Sequence, residues 1–195
     1  MCIRDRLSDE FLDGSWLLII FAGNDTTRNT MSGGIKLLHE NQEQKEMLIN
    51  DLELLPNFIN ETVRCVSPVI HMRRTSLEET EINGQKIGPY EKIALWYGAA
   101  NRDPSVFEDP NKFNILRDNA DKHLAFGIGR HTCIGKPIAL MQLQEFYSQF
   151  LVRFQDFEMN GDWKVAPNNF VHAIQEMPIK YLSLIHISEP TRRLN

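Results

Sequence analysis

Apolar residues recur at helical spacing from Asp9 to about Glu40, at Phe11, Trp16, Leu17, Ile20, Phe21, Met31, Ile35 and Leu38, and predict one long helix. The run Ala22-Gly23-Asn24-Asp25-Thr26-Thr27 interrupts it with small and polar residues. Glu43 to Asn50 reads as a second, short helix. Pro56 opens a third, with Phe58, Ile59 and Val63 on one side, and Ser67-Pro68 ends it. The period then drops to two. Val69 to Thr75 and Lys92 to Tyr97 read as strands, and Asn83-Gly84, flanked by Glu81-Ile82 and Gln85 to Ile87, is a hairpin turn. Asn101 to Lys122, with Pro104, Pro110 and several Asp and Asn, predicts a long meander with little regular structure. Helical spacing returns from Ile138 to Phe154, with Met141, Phe146, Phe150 and Leu151 as the expected buried face. Trp16, Trp96 and Tyr97 read as core aromatics. The expected class is mainly α with small β-sheets (α+β).

The two ends change what counts as natural sequence. Met1 to Asp5 is what ATG TGT ATA AGA GAC encodes, and Leu182 to Ile187 is what CTG TCT CTT ATA CAC ATC encodes. The second contains the reverse complement of the first, as expected of a sequencing adapter read in both directions and not of a protein. Residues 1–6 and most of 182–195 are therefore expected to be adapter-derived, and 7–181 the natural segment. Cys2 then drops out, which leaves Cys65 and Cys133 and no disulfide framework. The chain is 42% hydrophobic and 24% charged, an ordinary globular balance with room for about one domain. A net charge of -5 argues against nucleic acid as a partner. The apolar run Trp16 to Ala22 is far shorter than the roughly 20 residues that span a bilayer.

Three groups carry candidate chemistry. In Phe126 to Gly135, three glycines surround Cys133 at the expected start of a helix. A cysteine alone is usually a small buried hydrophobe. A glycine-rich turn at a helix amino terminus instead favours a thiolate, through unpaired N–H groups and the positive dipole end. The segment Ala22 to Thr27 is either a kink with solvent-facing polar groups or the close approach of a ligand to Gly23, with Asp25 and Thr26 offering an acid and a hydroxyl for proton relay. Glu61 and Arg64 share a helix face three residues apart, a spacing that mostly gives solvated pairs.

The pattern Phe-Gly-x-Gly-x-His-x-Cys-x-Gly at Phe126, Gly127, Gly129, His131, Cys133 and Gly135 resembles the haem-binding signature of the cytochrome P450 superfamily. Ala22, Gly23, Asp25, Thr26 and Thr27 resemble its oxygen-activating helix motif. Glu61 and Arg64 are similar to its Glu-x-x-Arg motif, with Arg117 as the meander arginine that completes a buried structural network. Met141 departs from the pattern, since many bacterial members carry Arg there. The resemblance implies the C-terminal part of the cytochrome P450 fold, lacking roughly the amino-terminal half and so exposing apolar surface. It implies haem b (iron protoporphyrin IX), with Cys133 as the iron ligand and Ala22, Gly23, Phe126, Gly127 and Gly135 around the ring. Arg74 and His131 would bind the propionates, with Arg73 and His123 as weaker candidates; Asp25 and Thr26 would be catalytic. Val69, Ile70, Phe170 and Val171 would face substrate. The implied activity is insertion of one oxygen atom from dioxygen into a C–H bond of a lipophilic substrate, as in bacterial hydroxylases of sterols and branched-chain lipids. Implied partners are a ferredoxin and its flavin-dependent reductase, met by Lys122, Arg130 and Lys136, and the implied location is cytoplasmic. A peroxide-using haem-thiolate enzyme and an inactive haem-binding or structural fragment are the alternatives.

Overall fold

The computed structural model describes residues 7–182. Residues 1–6 and 183–195, which hold nearly all of the sequence expected to be adapter-derived, lie outside the described residues. Helix α1 runs Asp9–Glu40, capped by the Ser8 side chain, which accepts from the Phe11 N–H at 3.2 Å. It is continuous through Ala22 to Thr27, so the polar interruption does not break it. Helices α2 (Gln42–Asn50) and α3 (Leu55–Val66) follow, and Ser67 ends α3 in the left-handed region at φ 43°. The strands β1 (His71–Thr75) and β4 (Lys92–Trp96) pair antiparallel, with Arg74 opposite Ile93. Between them β2 (Thr80–Ile82) and β3 (Gln85–Ile87) form the predicted hairpin. Its turn residues Asn83 and Gly84 sit at φ 50° and 80°, as a two-residue turn of the right twist requires.

One turn of helix, α4 (Tyr97–Ala100), ends the β4 stretch one residue earlier than expected. The meander then runs to a short 3-10 turn, Ala120–Lys122, and a second such turn, Gly129–His131, leads into α5 (Lys136–Arg153). Four short strands complete the chain. β5 (Asp156–Met159) pairs with β8 (Ile179–Leu182), and β6 (Lys164–Val165) with β7 (Ile174–Glu176). The periodicity did not reveal these strands, because two to four residues are too few for alternation to show.

The core lies where the second half of α1 meets α3 and α5. Phe58 of α3 is fully buried, edge-on to Tyr147 at 4.7 Å and to Phe113 of the meander at 6.2 Å, and Leu38, Leu48, Leu143 and Leu151 close around them. Two core expectations need correction. Trp16 is 62% exposed, along with Leu17, Ile20 and Phe21, because the buried residues of α1 all lie in its second half, and Trp96 at the end of β4 is 54% exposed. Met141 is exposed as well. α5 has two apolar faces: Leu143, Tyr147, Phe150 and Leu151 face inward, while Ile138 and Met141 face out. Apolar periodicity shows that a face needs cover, not that the described residues supply it.

Candidate functional site

The turn before α5 holds the exposed Cys133. Cys133 lies two residues before the N-cap of α5, Gly135, with Pro137 in the first turn. Its own N–H donates to the Phe126 carbonyl at 2.8 Å, which closes the loop on itself. Gly127 and Gly129 hold φ +70° and +67°, and a Cβ at Gly127 would press on the His131 carbonyl at 3.2 Å. Glycine is thus required by backbone conformation at both positions, and by close approach at the first. A Cβ at Gly135 would stand 3.8 Å from the Cys133 sulfur. In the turn and the first two turns of α5, Ile134 is 94% exposed and Ile128, Ile138 and Met141 are exposed as well.

Cys65 differs in every respect. It is half-buried in α3, and burial first and the Glu61 carboxylate second push its thiol up to about 11. A neutral thiol beside the Arg64 guanidinium, at 3.2 Å, is a structural group. Phe126 joins the core edge between the His123 ring, at 5.6 Å, and the Lys136 ammonium, at 5.5 Å.

Along α1, the Thr26 hydroxyl donates to the Ala22 carbonyl at 2.9 Å, and the Thr30 hydroxyl to the Thr26 carbonyl at 2.8 Å. Such back-bonding bends a helix without breaking it. Asp25 pairs with Arg28 at 2.8 Å on a solvent-facing side. Ala22 and Gly23 are exposed, and a Cβ at Gly23 would meet nothing within 4 Å.

Glu61 and Arg64 are wholly buried, and Arg117 is only 7% exposed, so the solvated-pair expectation for this spacing gives way. Arg64 meets Glu61 with two bonds of 2.7 Å, and Arg117 Nε lies 3.2 Å from both carboxylate oxygens. The two guanidiniums also collect meander carbonyls. Arg64 donates to Asn101 at 2.8 Å and Pro110 at 2.7 Å, and Arg117 to Lys112 at 3.0 Å and to Glu108. Burial opposes the Arg64 charge, but the Glu61 bond and charge outweigh it and hold the guanidinium above its ordinary value.

The proposed substrate-facing residues come together. Val69 bridges Val171, the Ile70 N–H donates to the Phe170 carbonyl at 2.9 Å, and the Phe170 ring stacks on Phe21 of α1 at 6.4 Å. Val171 is buried, whereas Val69, Ile70 and Phe170 are half-exposed. Arg74 is half-buried on β1, and Arg73 and His131 are exposed. His123 is buried instead. Its Nδ1 accepts from the Ala125 N–H at 3.3 Å, and burial, then Lys136, pull its pKa down to about 4. It is a neutral imidazole whose Nε2 has no hydrogen-bond partner among the described residues.

A profile of the Cytochrome P450 family matches residues 3–182. The chain belongs to the cytochrome P450 family. Linalool 8-monooxygenase of Pseudomonas putida is 38% identical over 85% of this chain and 41% of its own length. Steroid C26-monooxygenase of Mycolicibacterium smegmatis is 39% identical over 90% of this chain and 44% of its own length. The solved P450-153 of Novosphingobium aromaticivorans superposes with a TM-score of 0.85 at 40% identity, over 90% of this chain and 45% of that one. This chain thus spans less than half the length of the P450s it matches. Among the described residues no helix is long and apolar enough to cross a membrane.

The P450 family implies haem, and the residues present fit one. A thiol sits on an open apolar face, bare backbone faces out at Gly23, and basic side chains lie at Arg74 and His131. Sequence reasoning missed two residues that tie these parts together. Asn101 of the meander, fully buried, donates to Ser67 Oγ at 2.8 Å and accepts from the Leu124 N–H at 2.6 Å, which joins the end of α3 to the chain entering the thiolate loop. Asn29 of α1 accepts from the Ile174 N–H at 2.9 Å and so holds β7 to α1. Neither carries a spacing signal, because each partner is far off in sequence.

Proposed function

We propose that the intact protein carrying this chain is a haem-thiolate monooxygenase acting on a lipophilic substrate: a sterol, a terpenoid or a fatty-acid-like molecule. The net change is R–H + O2 + 2 e− + 2 H+ → R–OH + H2O. The observation that carries the reading is the exposed Cys133 thiol, held in a glycine turn at the start of a helix whose first turns carry exposed apolar side chains. Haem b, when bound, supplies the iron chemistry that splits dioxygen.

This chain's residues do the rest. Cys133 binds the metal as a thiolate, at the amino-terminal end of α5. Arg74 and His131 pair with the two carboxylates of the ring, which need cationic or N–H partners when enclosed. Thr26 gives its proton to the Ala22 carbonyl, so its oxygen is free to accept a hydrogen bond. Asp25, tied to Arg28 at the surface, exchanges protons with solvent and feeds that position. The pairing of acid and hydroxyl favours dioxygen over peroxide as the oxidant. Val69, Ile70 and Phe170 offer an apolar wall, which suits a lipophilic substrate. The relatives named for linalool and for a steroid support the same class.

A ferredoxin with its flavin-dependent reductase supplies the two electrons in a cytoplasmic setting. It meets the basic residues Lys122, Arg130 and Lys136 near the thiolate turn. The natural segment is 7–181, and alone it is inactive. The test is the spectrum of the intact protein, reduced under carbon monoxide, together with turnover of steroids and terpenes. A red-shifted Soret band and a hydroxylated product are expected; a haem spectrum without thiolate character overturns the reading.

For Thr26→Val in the intact protein, we expect product per electron pair to fall roughly tenfold or more, with the electrons appearing as hydrogen peroxide. Thr26→Ser keeps the hydroxyl and should stay near the parent. Equal coupling in all three proteins would reject the role given to the Thr26 oxygen.

A further inference from the structure

Tyr147 is wholly buried in α5, yet its hydroxyl lies on the backbone of α1, 3.1 Å from the Thr30 carbonyl and 2.9 Å from the Met31 carbonyl. One O–H proton is shared between two acceptors that already belong to the helix ladder. A Cβ at Gly34 would overlap this hydroxyl, so glycine there is what lets the ring approach. Burial raises the phenol pKa, and the group stays a donor at every working pH. The ring is held edge-on by the fully buried Phe58 at 4.7 Å, and the half-buried Phe146 flanks it at 5.1 Å.

The hydroxyl completes a series. Thr26 loads the Ala22 carbonyl, Thr30 loads the Thr26 carbonyl, and Tyr147 loads those of Thr30 and Met31. Carbonyls that accept a second donor tilt out of the ladder, and a helix bends where they gather. The first two donors belong to α1 itself. The third comes from α5, the helix that starts three residues after Cys133.

We propose that Tyr147 is a positioning residue that pins α1 to α5 at Thr30 and Met31, and hence sets where the Thr26 hydroxyl, one turn earlier, stands relative to the Cys133 turn. This rests on the monooxygenase reading. Phe58, Leu143 and Phe150 would hold two helices together but leave them free to slide, since apolar contact is not directional. A hydroxyl on two named carbonyls fixes the register.

The experiment compares Tyr147→Phe with Phe146→Leu in the intact protein. Phe keeps the ring and removes only the hydroxyl, whereas Phe146→Leu disturbs the neighbouring packing and leaves the hydroxyl in place. Hydrogen exchange, read by mass spectrometry on peptides covering 26–35, is expected to speed up about fivefold in Tyr147→Phe, the loss of one net hydrogen bond. Peptides from α3 should be unchanged. Peroxide per product should rise in the same variant, with the thiolate Soret band intact. Unchanged exchange and coupling in Tyr147→Phe, or an equal loss of coupling in Phe146→Leu, overturns the proposal and leaves the monooxygenase reading standing. A parent protein without the thiolate band would instead overturn that reading, and this one with it.

Discussion

Cys133→Ala in the intact protein is expected to abolish the red-shifted Soret band of the reduced, carbon-monoxide-treated protein while the fold survives. The two halves of that statement have separate grounds. The Cys133 side chain makes no hydrogen bond among the described residues, so its loss removes none of the contacts that hold the turn. The loop is held by backbone contacts instead, through the Cys133 N–H to the Phe126 carbonyl and the positive φ of Gly127 and Gly129. Alanine keeps all of them. What it removes is the anionic sulfur, and with it the electron donation that gives a thiolate-ligated iron its spectrum. Cys65→Ala is the control, because a thiol pushed up to about 11 and packed beside Glu61 has no route to the metal. The measurement is a carbon monoxide difference spectrum with circular dichroism on the same samples. A red-shifted band in Cys133→Ala, or its loss in Cys65→Ala, would sink the ligand assignment.

Local rules made much of this chain legible. Asn83-Gly84 declared its turn because two positive φ values in succession leave little else, and Pro56 opened α3 because a first-turn position loses nothing by lacking an N–H. The thiolate turn was legible for the same reason: its glycines answer to backbone geometry within ten residues. Burial was less readable. Glu61 and Arg64 at i and i+3 specify contact, but whether the pair is wet or dry depends on carbonyls at Asn101, Pro110 and Lys112 that the meander brings from 37 to 48 residues away. Tyr147 and Thr30 are 117 residues apart, and no spacing rule links them. Trp16 and Met141 misled in the opposite sense. Their period is that of a covered face, and the described residues leave that face open.

Glu61→Gln is expected to destabilise the intact protein by about 3–5 kcal/mol, the range for removing one partner from a buried ion pair. One carboxylate pairs with two guanidiniums here, at 0% and 7% exposure, so its loss leaves both buried without their counter-charge. Glutamine keeps the shape, but its amide turns two donors toward groups that are themselves only donors. The damage should spread along the bonds. Glu61 also accepts from the Asn114 N–H at 2.9 Å, and the arginines it orients hold the carbonyls of residues 108 to 112. Through Asn101 the same meander reaches the Leu124 N–H, two residues before Phe126. Loosening Glu61 should therefore loosen the thiolate turn, and haem loss should accompany unfolding. Urea titrations followed by circular dichroism and by the Soret band should shift together to a lower midpoint. Arg117→Leu should destabilise less, since it leaves the Arg64 pair whole. Combining it with Glu61→Gln should cost less than the sum of the two, as for members of one network. A loss below about 1 kcal/mol in Glu61→Gln, the worth of a solvated surface pair, would mean that water reaches the triad and that it does not hold the meander.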